Sequence, residues 1–187
     1  MNDEIRKACE ILSQGGVILY PTDTIWGIGC DATNEAAVKR VYEIKQRVDS
    51  KSMLVLIDSP DYLDYYVDDL PEIALNLVDV ADKPLTIIYS GAKNLAPNLI
   101  AGDGSIGIRI TKEKFSQGLC AQFKKPVVST SANISGLPAP GNFFEIHENI
   151  KKSVDYIVDF RREEKNNPKP SGIIKLGKGG EIQIIRP

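Results

Sequence analysis

The chain has 187 residues, 42% of them hydrophobic and 26% charged, with a net charge of −2. That composition supplies a proper core, and the acidic balance argues against a large non-specific nucleic-acid footprint, which needs clustered Lys and Arg. A single histidine, His147, rules out a multi-histidine metal centre. No apolar run approaches a membrane span, and Met1 to Lys7 carries mixed charge with no apolar core of a signal peptide. Three separated cysteines, Cys9, Cys30 and Cys120, read as reduced thiols. Together these features predict a cytoplasmic protein with no membrane partner, within reach of a single domain over residues 1–187.

In chain order, Asp3 to Gln14 fits an amphipathic helix, stopped by Gly15 and Gly16. Val17 to Tyr20 is a buried strand that runs into Pro21 and the polar Thr22, Asp23 and Thr24, then into a loop containing Gly27 and Gly29. Asn34 to Arg47 is a second helix with Ala37, Val41 and Ile44 on one face, and Met53 to Ile57 an inner strand. Pro60 to Asp82 reads as mostly helical, Leu85 to Tyr89 as a strand, and Gly91 to Asp103 as a connection. Ser105 to Ile110 alternates as a strand, Lys112 to Phe123 is a helix, and Pro126 to Ser129 is a strand that opens a second polar turn reaching Gly136. Phe143 to Lys152 reads as helix and Tyr156 to Val158 as strand. Arg161 to Pro170 has the composition of a mobile loop, and a hairpin around Gly177 to Gly180 closes the chain. Strands alternating with helices, plus that hairpin, predict an α/β fold with a mixed sheet.

Four features bear on chemistry. Two strands end in hydroxyl-rich turns, Pro21 to Thr24 and Ser129 to Ser135, and strand ends of α/β sheets are where ligands bind, although Ser, Thr and Asn also make ordinary turns and caps. Lys45-Gln46-Arg47, with Lys51 beyond, ends a helix, where cations are favoured in any case; the functional alternative is a phosphate clamp of one mobile point charge and one planar fork. Arg109 on an apolar strand is either an edge arginine or a partner for a ligand carboxylate, and Ser171 is a turn serine with the same ambiguity. Arg186, next to the last residue, is either a solvated cation or part of the site. There is no Walker-type phosphate loop.

Read together, Pro21-Thr22-Asp23-Thr24, Gly27-Ile28-Gly29-Cys30-Asp31-Ala32, Lys45-Gln46-Arg47, Gly107-Ile108-Arg109 and Ser129 to Gly136 resemble the YrdC-like family of threonylcarbamoyl-AMP synthases, in its short single-domain bacterial form. The resemblance runs from Ile5 to Pro187. It implies a twisted mixed β-sheet flanked by helices around a concave basic cleft. It also implies synthesis of L-threonylcarbamoyladenylate from L-threonine, bicarbonate or carbon dioxide, and ATP, with release of pyrophosphate. A downstream threonylcarbamoyl-transfer complex would then modify the tRNA adenosine beside the anticodon. By position, Thr24, Arg109, Ser131 and Ser171 would contact threonine, and Lys45, Arg47, Lys51, Ser105, Asn133 and Arg186 would contact ATP, with Lys45 and Arg47 the catalytic pair.

On this reading no protein nucleophile is needed, and catalysis is positioning plus charge neutralisation, with magnesium carried in by ATP and held mainly by phosphates. Lys45→Ala would then reduce activity with little loss of stability. The sequence departs from the family pattern at Val48, at Ser52-Met53, across Ala81 to Thr86, and at Gly141 and Gly172. The competing reading is a YrdC-like module that binds tRNA or double-stranded RNA without chemistry; the shortage of aromatics for base stacking weighs against it.

Overall fold

The computed structural model describes residues 1–47, 53–165 and 168–187. Its centre is a nine-stranded mixed sheet. The strands are β1 (Ile18–Tyr20), β2 (Gly27–Gly29), β3 (Leu54–Ile57), β4 (Leu85–Ser90), β5 (Ser105–Ile110), β6 (Val127–Ser131), β7 (Tyr156–Ile157), β8 (Gly172–Leu176) and β9 (Ile182–Arg186). Their order is β7-β1-β2-β6-β3-β5-β4-β8-β9. The pairs β7–β1, β3–β5 and β4–β8 are parallel and the others antiparallel.

Successive strand side chains point to opposite faces, so each inner strand feeds two cores. Ile18, Tyr20 and Leu56 join α1 (Asn2–Ser13) and α5 (Lys114–Phe123) on one face, through Ile5, Ala8, Leu12, Phe115 and Leu119. Leu19, Val55, Ile57 and Ile108 join the other face, where α2 (Glu35–Lys45) supplies Val38, Val41 and Tyr42. Smaller helices complete that layer: α3 (Leu63–Tyr66), α4 (Ile73–Val80) and α6 (Glu148–Ser153). No helix among the described residues is long and apolar enough to cross a membrane.

Three expected elements differ. The glycine-rich stretch after Trp26 is strand β2, not loop. A Cβ on Gly29 would lie 2.6 Å from both the Tyr20 ring and the Val128 carbonyl, so the glycine is what lets β2 lie so close to its neighbours. The helical segment over Pro60 to Asp82 is broken into a 3₁₀ turn, α3 and α4, with Asp69 at φ 50° between the helices. The Phe143 to Lys152 helix is interrupted because His147 caps α6, its Nδ1 accepting from the Asn149 N–H at 3.1 Å.

Glu4 ties α1 to the far edge of the sheet. Its carboxylate accepts from the Tyr156 hydroxyl at 2.5 Å and the Asp159 N–H at 2.7 Å, with Lys7 at 3.0 Å. Burial alone would raise this carboxyl, but those donors outweigh it and hold it at about 2 instead of the ordinary 4.5. A carboxyl lowered on folding contributes stability that is complete above its unfolded value and is lost as pH falls through its folded value. Glu4→Gln is therefore expected to unfold at lower urea than the parent at pH 6, with the difference shrinking steadily between pH 4.5 and 2. A difference that stays constant with pH would show that the carboxylate charge plays no part.

Candidate functional site

The two polar turns foreseen from sequence meet because β2 pairs with β6, placing Gly27 opposite Ser131 and Ile28 opposite Thr130. Beside them lies a cleft of about 390 Å³. Thr24 and Trp26 to Gly27 form one wall, Ser129 to Ser131 a second, and Thr86, Ser105, Gly107 and Arg109 of β4 and β5 the floor. Arg47, Ser171 and Arg186 complete it, and no carboxylate contributes to its lining among the described residues. A side chain at Gly107 would meet Thr86 and Leu54 at 3.3–3.4 Å, so the glycine keeps the floor low.

Two hydroxyls of this cleft, on Thr24 and Ser105, have their protons assigned by their neighbours. Thr22 Oγ1 donates to the Ile25 carbonyl at 2.8 Å and accepts the Thr24 N–H at 3.1 Å. Its one proton is then used, so the 3.1 Å contact between the two threonine hydroxyls requires Thr24 to donate. Thr24 therefore offers only lone pairs to the cleft. Ser105 Oγ likewise donates to Asp103 Oδ1 at 2.5 Å, and Lys175 and Ser105 hold the Asp103 carboxyl at about 2. Ser171 Oγ lies 2.9 Å from the Thr86 hydroxyl, and its backbone carbonyl accepts from Arg186 Nε at 2.8 Å.

The charges are of one sign. Arg109 is 3% exposed, and its Nη2 stands 3.0 Å from Asp23 Oδ1. Its buried Nε has no hydrogen-bond partner among the described residues. Burial lowers its affinity for a proton, while Asp23 and Tyr20 oppose that shift. Helix α2 ends with Gln46 in the left-handed conformation, its N–H bonded to the Glu43 carbonyl and the Arg47 N–H bonded to the Tyr42 carbonyl. This reversal sends Arg47 into the cleft and Lys45 away from it.

Residues 10–187 match the Sua5/YciO/YrdC family, whose description is telomere recombination. The chain belongs to the Sua5/YciO/YrdC family. It is 35% identical over 164 residues to a threonylcarbamoyl-AMP synthase of Pseudoalteromonas translucida, covering 85% of this chain and 88% of that one. It is 31% identical over 189 residues to the synthase of Cellvibrio japonicus, covering 100% and 97%. These relatives are enzymes, and the chain is a member of an enzyme family. Among solved structures, E. coli YciO superposes with a TM-score of 0.85 at 26% identity, covering 100% of this chain and 89% of that one. P. abyssi Sua5 in complex with L-threonine gives a TM-score of 0.82 at 26% identity, covering 92% of this chain but only 50% of that longer protein. The mixed α/β fold and basic cleft expected for a YrdC-like protein are both present.

Of the residues singled out from sequence, Thr24, Arg47, Ser105, Arg109, Ser131, Ser171 and Arg186 all line this YrdC-like cleft. Lys45 and Asn133 stand behind it. Lys45 is 2% exposed, and its ammonium donates to the Ser131 carbonyl, the Asn133 carbonyl at 2.8 Å and Asn133 Oδ1 at 3.5 Å. Asn133 in turn spends its amide protons on the Ile134 and Leu137 carbonyls. Burial, and then the nearby Arg47 cation, push Lys45 down to about 7. Lys51, and the departures at Val48 and Ser52, lie outside the described residues. Sequence reasoning passed over one polar cleft residue, Thr86, which reads as an ordinary strand position. It left Asp23 without a role.

The Lys45 contacts reverse the expectation that Lys45→Ala spares stability. Removing a buried ammonium strands three oxygen acceptors and opens a cavity, at a cost of about 2–5 kcal/mol. Urea unfolding of Lys45→Ala is expected to show that loss, with Lys45→Met, which keeps the apolar stem, losing less. Equal stability of Lys45→Ala and the parent would show that the contacts hold nothing.

Proposed function

We propose that this enzyme is an ATP-dependent threonylcarbamoyl-AMP synthase. The observation that carries the reading is one buried guanidinium, Arg109, on the floor of a hydroxyl-lined cleft with no carboxylate among its described lining residues, with Arg47 and Arg186 also lining it. A planar guanidinium matches a carboxylate, and threonine brings one. The acceptor-only hydroxyl of Thr24 suits the N–H or O–H groups of the same amino acid. Arg47 and Arg186 suit a polyphosphate. The synthase names of the relatives, and the threonine in the P. abyssi complex, support the same assignment.

In this reading the free threonine amine forms an N–C bond to the carbon of bicarbonate, giving up a proton as water leaves, and becomes a carbamate. A carbamate oxygen then attacks the α-phosphorus of ATP, and the bond to the bridging oxygen breaks as pyrophosphate leaves. The protein supplies alignment and fixed positive charge and forms no covalent intermediate. Magnesium arrives as MgATP. The cleft walls offer hydroxyls, not carboxylates, and no group of three metal-ligating side chains gathers among the described residues, so the phosphates are its main ligands in this proposal. The adenylate would be the substrate of a downstream transfer to tRNA.

The test is release of pyrophosphate that requires threonine, bicarbonate and MgATP together. Thr24→Val, which removes one hydroxyl at nearly constant shape, is expected to raise KM for threonine about tenfold while leaving KM for ATP within about twofold. Pyrophosphate release indifferent to threonine would overturn the assignment.

A further inference from the structure

Asp23 lies in the turn between β1 and β2, yet it does not line the cleft. It lines a second cavity, of about 310 Å³, together with Lys83, Lys112, Glu113 and Arg161. Arg109 lines the first cavity and not the second. The pair therefore forms the partition between them, with side chains 10% and 3% exposed. Asp23 is the carboxylate ion-paired with Arg109, at 3.0 Å.

Behind Asp23 the signs continue to alternate. Arg161, held at φ 59°, reaches the Thr22 carbonyl at 3.2 Å and Glu113 at 3.3 Å, and is forked onto Glu164. Its cation attracts Asp23, while Glu113 repels it. Burial raises the Asp23 carboxyl, and Arg109 is the chief opposing influence.

Two features show that this pair is more than a structural ion pair. The Arg109 Nε is buried with no acceptor among the described residues, and the 3.0 Å approach of Nη2 to Asp23 Oδ1 falls outside hydrogen-bond geometry. A purely structural buried pair gains its stability from saturated, well-directed bonds. Here the guanidinium is ion-paired through one nitrogen and left short of acceptors, while it lines a cleft with no carboxylate among the described lining residues.

We propose that Asp23 is a positioning residue, which anchors the Arg109 guanidinium from behind so that its remaining N–H groups are presented to an incoming ligand carboxylate. The inference rests on the reading of that carboxylate as threonine's. Asp23 makes no contact with the ligand. It holds one guanidinium nitrogen, offsets the cost of keeping a cation buried in the empty cleft, and limits rotation of the fork. The Glu113–Arg161 pair braces it from the second cavity.

Two measurements test this separately from the functional reading. In steady-state kinetics, Asp23→Asn is expected to raise KM for threonine by about tenfold to a hundredfold and to leave KM for ATP within about twofold. Asp23→Ala is expected to regain threonine affinity when formate supplies the missing carboxylate. In ¹⁵N-arginine spectra of the ligand-free protein, the Arg109 signals, assigned by their disappearance in Arg109→Lys, are expected to show separate Nη resonances in the wild type. These should merge in Asp23→Asn as the fork rotates freely. Threonine-dependent turnover with an unchanged KM in Asp23→Asn overturns the positioning role and leaves the synthase reading standing. Absence of threonine-dependent turnover in the wild type overturns the synthase reading, and the spectra then decide the positioning role alone. Merged Arg109 signals in the wild type overturn it whether or not any variant folds.

Discussion

The site depends on burying a lysine where a sheet strand ends. Lys45 closes α2, and its ammonium reaches the carbonyls of Ser131 and Asn133 while its own carbonyl accepts the Ser135 N–H. A turn leaving a central strand carries carbonyls that cannot all pair with one another, and an unpaired buried carbonyl is costly. The lysine supplies three donors to that turn from a second element. Helix α2 and the end of β6 are thereby fixed to each other, and Ser129, Thr130 and Ser131 are held along the cleft wall. The adjacent Gln46 in the left-handed conformation then turns Arg47 into the cleft. One short segment thus provides the brace and part of the lining.

The second constraint is the closeness of β1, β2 and β6. Strand β2 is three residues long and pairs on both sides, with β1 and with β6. Gly29 admits the Tyr20 ring and the Val128 carbonyl where any side chain would collide. Tyr20 Oη donates to that same carbonyl at 3.1 Å, so the ring occupies the space the glycine leaves. That packing brings the Thr22 to Thr24 turn to the Ser129 to Ser131 turn, two segments more than 100 positions apart in the chain.

This geometry also explains what was legible from sequence. Apolar periodicity and strand-end polarity located most elements and both hydroxyl turns, because burial pattern is written locally. Strand β2 was not legible: Gly27 and Gly29 carry no strand propensity, and their purpose is visible only against Tyr20 and Val128. The break between α3 and α4 is likewise set by a tertiary contact, the Asp68 N–H to the Gly91 carbonyl at 2.8 Å, which no helical periodicity records. Within the site, the cleft positions of Arg109, Ser131 and Ser171 followed from motif order. The division between Arg47 in the cleft and Lys45 behind it did not, since both are cations in one Lys-x-Arg segment and only the backbone reversal separates them. Thr86 and Asp23 were opaque for a similar reason: each acts through a partner far along the chain, Ser171 and Arg109 respectively.

What results is a cleft polarised by where its protons are already committed. Thr24 and Ser105 have donated inward, to Thr22 and Asp103, and present lone pairs. The cations among the lining residues are Arg47, Arg109 and Arg186. Neutral acceptors beside cationic groups, with no carboxylate among the described lining residues, are the complement of a molecule that carries its own negative charge together with N–H or O–H groups. A carboxylate on the wall would repel such a ligand; Asp23 and Asp103 are not among the lining residues, and each contacts one that is, Arg109 through an ion pair and Ser105 through a hydrogen bond. The net acidity of the chain thus coexists with a cleft whose described charged lining residues are all cations, with these two acids set behind them.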